Sequence, residues 1–431
     1  MSGSDKAQGG REFSVSKGYA YYVFSLLFLL FMFNFLDRMI ISALIPHLKA
    51  EWKLTDYECG WFASIVTLMM TAFVFPISLL VDRWSRTKAI SLMAVLWGLA
   101  SAACAFARSY EQLMALRSFV GIGEAAFSAG GFAMIAAYFP EERRATMNGL
   151  FNAGIPMGTA FGVVLGGVIA ESLGWRYAFG ITALPGLVIA LLFFYVKDYK
   201  TVEIGRAGAG GTAGKTGMGV GAVAREFLRT PSVLYTYVGY TANSFATFGL
   251  MVWLPTHFHR VWNMPMDKAG LKASPILLLA IVGAPLGGWI TDVLRRRWLG
   301  SRMGVPALSS LVAAIALLIA FLSDGTTQYL LLVLFGFTSP MYVAGGSAVT
   351  QDVVHPGHRA ISYGINQFFL MLIAYSLSPL FVGALSDRYG LMTAFRLLPI
   401  CYFIGAAAFL AGSFYYARDL ARVGRVSLKE A

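Results

Sequence analysis

The sequence predicts an all-α, polytopic membrane protein of about twelve transmembrane helices arranged as two six-helix pseudo-repeats. Three observations predict it. The composition is apolar and poor in charge, about twelve apolar runs have spanning length, and three sets of residues recur in register in the two halves.

Of 431 residues, 57% are hydrophobic and 13% charged, against ~25% charged in soluble domains. One aqueous core cannot hide so much apolar surface behind so few polar groups, so lipid is the natural solvent. The formal net charge of +12 does not point to nucleic acid. The basic residues sit in short clusters between apolar runs, where they orient membrane helices. Cys59, Cys104 and Cys401 show no metal-ligand, redox or disulfide spacing and read as small apolar packing residues. The apolar run from Tyr19 is too long for a signal-peptide core and reads as a retained first span.

A helix that crosses the bilayer needs ~20 mostly apolar residues. Such runs fall at 19–46, 57–81, 88–107, 110–139, 145–171 and 176–196, then at 231–256, 270–292, 303–323, 327–351, 360–386 and 392–417. They define a first bundle over 19–196 and a second over 231–417, with polar tails at 1–18 and 418–431. The stretch 197–230, rich in Gly, Lys and Arg, reads as a flexible linker. Within it, Ala209 to Thr216 imitates a phosphate-binding loop, but no strand precedes it and alanine stands at the first glycine position.

Basic residues mark one side of the membrane. They occupy the N-terminal tail (Lys6, Arg11, Lys17), the second connection (Arg83, Arg86, Lys88), the fourth (Arg143, Arg144) and the linker. The eighth connection (Arg295 to Arg297) and the C-terminal tail (Arg418, Arg422, Arg425) continue the pattern. Both termini are therefore expected in the cytoplasm, in a multi-pass protein of the cell (inner) membrane.

The halves repeat each other. Ser78, Asp82 and Arg86 have the spacing of Gly288, Asp292 and Arg296. Gly167, Glu171, Gly174, Ala178 and Phe179 reappear as Gly383, Asp387, Gly390, Ala394 and Phe395, and Arg144, Ala145 and Gly149 as Arg359, Ala360 and Gly364. Three matches in register argue for duplication. Transporters built from repeats bind substrate near the midplane, where the halves meet.

Four charges break the apolar pattern at mid-depth: Asp37 and Arg38 in the first run, Arg117 and Glu124 in the fourth. A charge at the bilayer centre costs ~3 kcal/mol, so it faces a cavity or a partner. Asn34, Arg38 and Ser42 form one stripe, and Arg117, Gly121, Glu124 and Ser128 another. Both stripes are expected to look inward. An arginine beside Glu124 favours its charged form and burial favours its protonated form. An anionic substrate that takes the arginine then couples to proton uptake. Asp37 is expected as a second proton site or as the group that orients Arg38. Arg38, Arg117, Asn34 and Ser128 are the expected substrate contacts of the first half. The second half has no mid-depth charge, and its candidates are Asn243, Phe245 and Phe248, Tyr342, Asn366 and Gln367. A cavity charged on one wall and apolar or aromatic on the other suits an amphiphile with an anionic head. Gly154, Pro156, Gly158, Gly162 and Gly166 mark the fifth run as a close-packing, bendable helix.

Val81-Asp82-Arg83-Trp84-Ser85-Arg86-Thr87-Lys88 resembles the loop between the second and third helices of the major facilitator superfamily, with Ser78 and Ser85 at that pattern's glycine positions. The resemblance implies that family's fold. It also implies a cytoplasmic gate in which Asp82 and Arg86, with Asp292 and Arg296 in the repeat, latch the seam between the halves. Asn34-Phe35-Leu36-Asp37-Arg38 and Arg117-Ser118-Phe119-Val120-Gly121-Ile122-Gly123-Glu124-Ala125-Ala126-Phe127-Ser128 resemble the Spinster lipid transporters. That likeness implies a proton-coupled carrier of a lysophospholipid or a sphingosine-1-phosphate-like lipid, with Asp37, Arg38 and Glu124 as its central polar site. The Asn-x-x-Asp-Arg start also resembles the anion:cation symporters of sugar acids, which often have a proline soon after the glutamate where this chain has Ala129-Gly130.

A membrane enzyme is the competing class. His47, His257, His259, His355 and His358 fall near the ends of runs or in connections, and no nucleophile elbow or metal-ligand set joins them. No catalytic residue, metal or cofactor is therefore expected. The expected partners are protons, the lipid bilayer and a small amphiphilic or anionic substrate, and the chain is expected to be a monomer.

The topology has a direct test. Single cysteines at Gly210 and at Asp267 are expected to label from opposite faces of the membrane; labelling from one face refutes the assignment.

Overall fold

A computed structural model describes residues 16–83, 86–125, 127–197, 227–355 and 358–423. Most of the 197–230 linker, the first fifteen residues and the last eight lie outside them, as do the side chains of Ser78, Asp82, Arg86 and Ser128. All regular structure among the described residues is helical.

The first half contains α1 (Lys17–Trp52), α2 (Asp56–Arg83), α3 (Arg86–Cys104), α4 (Tyr110–Glu124), α5 (Phe127–Tyr138), α6 (Glu141–Leu173) and α7 (Trp175–Phe193). The second contains α8 (Pro231–Val261), α9 (Met266–Leu278), α10 (Ala280–Arg295), α11 (Ser301–Ala320), α12 (Gly325–Thr338), α13 (Tyr342–Asp352), α14 (Arg359–Phe369), α15 (Ser376–Tyr389) and α16 (Leu391–Arg422). Among the described residues, ten helical runs are long and apolar enough to cross a membrane. The consecutive α4 and α5, and the longer but more polar α8, complete twelve spanning units.

Four spans are broken. The fourth passes from α4 to α5 and the eighth from α9 to α10. The tenth tightens to a 3₁₀ turn at Ser339–Met341, where Pro340 removes an amide donor. The eleventh widens to a π-helical turn at Leu370–Tyr375 between α14 and α15.

Local rules explain several ends. Ser16 and Ser109 cap α1 and α4, each hydroxyl accepting an amide hydrogen at 3.3 Å. Gly174 and Gly390, which repeat each other in the sequence, have φ of +100° and +82°. Each sits in backbone that side chains avoid, where one span turns into the next.

The halves meet chiefly through α6 against α9 and α2 against α15. At each crossing two glycines let the backbones touch. A carbon added at Gly60 would lie 2.6 Å from the Pro379 carbonyl oxygen, and one at Gly383 would lie 2.5 Å from that of Asp56. In the other crossing, Gly270 meets the Val163 carbonyl at 2.8 Å and Gly167 that of Met266 at 2.5 Å. The two crossings are related by the internal repeat. Gly60 stands to Gly270 as Asp82 stands to Asp292, and Val163 stands to Pro379 as Gly167 stands to Gly383.

Both crossings lie toward the end of the molecule remote from the chain termini, here called the distal end. An ionic cluster reinforces one of them. Asp56 receives Arg260 through two bonds of 2.7 Å, Lys49 at 2.5 Å and the Ser386 hydroxyl. Asp387 in turn accepts the backbone amides of Asp56 and Tyr57, each at 2.8 Å, so the second half caps the start of α2. The distal end is thus closed.

The expected latch at the proximal end is only partly visible. Asp292 sits 3.3 Å from Arg302 of its own half, and Arg302 and Arg295 approach Asp352 at 3.5 and 3.9 Å. Arg296 is exposed. Among the described residues, neither Asp292 nor Arg296 pairs across the seam.

Hydrogen bonds to a charged group contribute about 1.5–3 kcal/mol each, and Asp56→Asn weakens several at once. The variant is expected to shift the population at least tenfold toward a conformation open at the distal end. Longer distances between spin labels at Lys53 and Lys268 report the shift; unchanged distances discount the cluster as a gate.

Candidate functional site

Arg38 lies in the middle of α1 and Glu124 is the last residue of α4. Arg38 Nε donates to Glu124 Oε2 at 2.6 Å. The Glu124 side chain is fully buried and that of Arg38 is 11% exposed. The Arg38 guanidinium also lies 4.9 Å over the Phe35 ring, with Nη2 2.9 Å from the Met70 sulfur. Glu124 Oε1 has no hydrogen-bond partner among the described residues.

The other two mid-depth charges form a separate pair. Arg117 Nη1 lies 3.5 Å from Asp37 Oδ2 and 3.3 Å from the Asp37 carbonyl oxygen. Arg117 Nε donates to the Phe62 carbonyl, and the Ser101 hydroxyl donates to Asp37. Both charged groups are buried and neither lines a described cavity. Asp37, expected as a second proton site or as the group that orients Arg38, is thus engaged by Arg117 and Ser101. Adjacent residues on a helix point ~100° apart, so Asp37 turns into the interior of its bundle while Arg38 turns to the cavity.

Arg38 stands where two cavities meet. The larger, of about 600 Å³, is a chamber of mixed lining and the more polar of the two, with Phe31, Met70, Phe132, Leu370 and Met371 among its walls. Its walls carry Asn34, Glu124, Asn148 and Asn152 from the first half and Gln351, Tyr363 and Gln367 from the second. The other, of about 180 Å³, is mainly apolar and is lined by Met39, Pro156, Phe248, Met251, Leu277 and Phe335, among others. Phe35, Arg38, Ile155 and Tyr375 line both. The chamber runs from this junction toward the proximal end, past Asn148 near the start of α6 and Gln351 near the end of α13.

Several expected contacts fall elsewhere. Tyr342 lines the apolar pocket and Gln367 the chamber. Asn243 instead donates to Ser310 at 2.6 Å and packs against Gly405, inside the second bundle. Phe245 packs edge-to-face on Phe381, with centroids 5.5 Å apart. Asn366 is buried off both cavities, its amide without a partner among the described residues. Conversely, sequence reasoning passed over Asn148, Asn152, Gln351, Tyr363 and Tyr375. Amides at the ends of apolar runs were the available signal for the first three.

Two pseudo-repeated bundles around a central chamber, with one ion pair on its wall and one end sealed, define a membrane transporter. Residues 27–379 match the family model of the Major Facilitator Superfamily, and the chain belongs to that family. Its relatives include sugar-acid transporters and Spinster proteins. It is 27% identical to the hexuronate transporter of Bacillus subtilis, covering 86% of this chain and 89% of that one. It is 26% identical to protein spinster homolog 3 of Danio rerio, covering 94% and 87%. Among solved structures it superimposes on a bacterial homologue of the human lysosomal transporter Spinster, in an inward-facing and unoccupied conformation. The TM-score is 0.82 at 22% identity, over 96% of this chain and all of that one.

Breaking a buried ion pair from one side costs ~3–5 kcal/mol, while replacing both partners by apolar groups is often nearly neutral. Arg117→Met is therefore expected to lower the melting temperature in detergent sharply, and the further change Asp37→Leu to restore most of it. A double variant no more stable than the single one argues against a structural pairing.

Proposed function

We propose that this protein is a proton-coupled carrier of an anionic amphiphile, working by alternating access in the cell membrane with both termini cytoplasmic. The observation that carries the reading is the position of the Arg38–Glu124 pair, at the junction of the more polar chamber and the apolar pocket. A head group enters the chamber from the open end and meets Arg38. Its tail extends into the pocket beside Phe248 and Phe335. The likeness to Spinster proteins supports this assignment.

Coupling follows from the shared arginine. While Arg38 holds Glu124, the pair is neutral. A substrate anion that takes Arg38 leaves a buried carboxylate without its counter-charge, a costly state. A proton on Glu124 removes that cost, so substrate and proton bind together. Asp37 and Arg117 hold α1 and α4 in the register that brings Arg38 to Glu124.

One observation favours a second reading, a sugar-acid:proton symporter. The chamber presents Asn34, Asn148, Asn152, Gln351 and Gln367, a set of amides suited to a polyhydroxy acid, and the hexuronate transporter is among the relatives.

Glu124→Gln is expected to abolish accumulation driven by a pH gradient in proteoliposomes and to retain substrate binding, whereas Arg38→Ala loses binding. Normal pH-driven uptake by the Gln variant removes Glu124 as the proton carrier.

Substrate class is decided in nanodiscs. Each buried methylene contributes ~0.8 kcal/mol, so affinity for lysophospholipids is expected to climb with chain length until the pocket fills. Tight gluconate binding with flat, weak lysolipid binding makes the sugar-acid reading the correct one.

A further inference from the structure

The eleventh span carries an irregularity that the coupling scheme leaves unused. Tyr363, Gln367, Leu370 and Met371 all line the chamber. A regular helix turns about 100° per residue, so it would continue this face through Ala374, about 20° from the direction of Gln367. Tyr375 would then point about 80° away. The π-helical turn at Leu370–Tyr375 inserts one extra residue and reverses the two. Ala374 is fully buried and Tyr375 lines the cavity. π-Turns are uncommon and recur at functional sites.

The place Tyr375 takes is specific. It lines both the chamber and the apolar pocket, and among the described residues it alone does so from the second half; Phe35, Arg38 and Ile155 face it from the first. Its ring packs on Phe248 with centroids 4.8 Å apart, at the pocket side. The phenol therefore stands opposite the one arginine of the junction.

We propose that Tyr375, swung into the cavity by the π-turn, is a specificity-determining residue that forms the second-half wall of the neck between chamber and pocket. Its hydroxyl donates to the anionic head held at Arg38, and its ring sets the width of the passage for an apolar chain. A neck bounded by Phe35, Ile155 and Tyr375 passes one unbranched chain and excludes branched ones. The inference rests on the anionic-amphiphile reading for the chain, and only on the anion for the hydroxyl.

The test measures binding to the full-length protein in nanodiscs, using straight-chain alkyl phosphates from methyl to dodecyl, their branched isomers, and gluconate. In the unaltered protein, affinity rises about fourfold per methylene along the straight series, and branched isomers bind at least tenfold more weakly. Tyr375→Phe is expected to weaken every phosphate, methyl phosphate included, about tenfold while leaving the dependence on chain length unchanged. Tyr375→Ala is expected to abolish the discrimination against branched chains. The proposal is overturned if Tyr375→Phe, which preserves the packing on Phe248, leaves methyl phosphate and gluconate affinities unchanged and the unaltered protein binds branched and straight chains alike. A flat alkyl series with tight gluconate binding overturns the amphiphile reading instead. In that case a tenfold loss of gluconate affinity in Tyr375→Phe upholds the hydroxyl's role, and no loss refutes it.

Discussion

A charge in the middle of a membrane must be paired, and this constraint organises the first half. Four mid-depth charges resolve into two neutral pairs, Arg38 with Glu124 and Arg117 with Asp37. One pair looks into the chamber and the other is closed off between helices. Both depend on the close approach of α4 to its neighbours. A side-chain carbon at Gly121 would strike the Val66 carbonyl of α2, and one at Gly123 would lie 2.7 Å from the Trp97 amide of α3. The glycines seat α4 against α2 and α3, and the long side chains of Arg117, Glu124 and Arg38 span the remaining distance between α4 and α1.

The second half meets the same constraint by carrying no charge at that level. Several of its buried polar groups pair with one another: Ser244 with Tyr342, Thr247 with Tyr402, and Asn243 with Ser310. An anion in the cavity can therefore find a full counter-charge only on the first half, at Arg38. Rigid aromatic and hydroxyl groups across the seam supply shape. In the function proposed above, this division assigns charge balance to one bundle and the remainder of the substrate to the other.

Much of the fold was legible because lipid imposes a simple code. Apolar runs of fixed length, basic clusters at alternate connections and a repeated glycine-acid pattern gave twelve units and their pairing into halves. The four mid-depth charges were legible for the same reason, since nothing but a cavity or a partner excuses them. Their pairing was not, because it depends on whether residue 37 or 38 faces the seam, and helical periodicity alone leaves that rotation open. Tyr375 was illegible for a sharper reason: a pattern read at 3.6 residues per turn puts Ala374 on the cavity face, and the π-turn lies outside that period. Asn243 and Asn366 misled because a lone amide in an apolar run looks the same whether it lines a cavity or bridges two helices. Asp387 was visible as part of a repeat, but its partner, the start of α2, is joined to it only by tertiary packing.

The two distal crossings share their backbone geometry and differ in their chemistry. Where α2 meets α15, the paired glycines are backed by Asp56, Arg260, Lys49 and Asp387. Where α6 meets α9, the position equivalent to Asp56 is Met266, fully buried and apolar. Rocking of the bundles must open both together. Parting the apolar crossing exchanges protein contacts for lipid or water over a small area. Parting the ionic one strips Asp56 of two arginine bonds and of the Ser386 hydroxyl, and leaves the first amides of α2 without their acceptor. The barrier to distal opening is thus concentrated on one side of the pseudo-two-fold axis, although the duplicated backbone would divide it equally. The proposed site at Arg38 adjoins that side directly, since Arg38 contacts Met70 of α2 and Tyr375 lies one residue before α15 begins. Phe35 and Arg38 share α1 with Lys49 of the seal, and Tyr375 directly precedes the α15 that carries Ser386 and Asp387, whereas Ile155 of α6 ties the same junction to the apolar crossing.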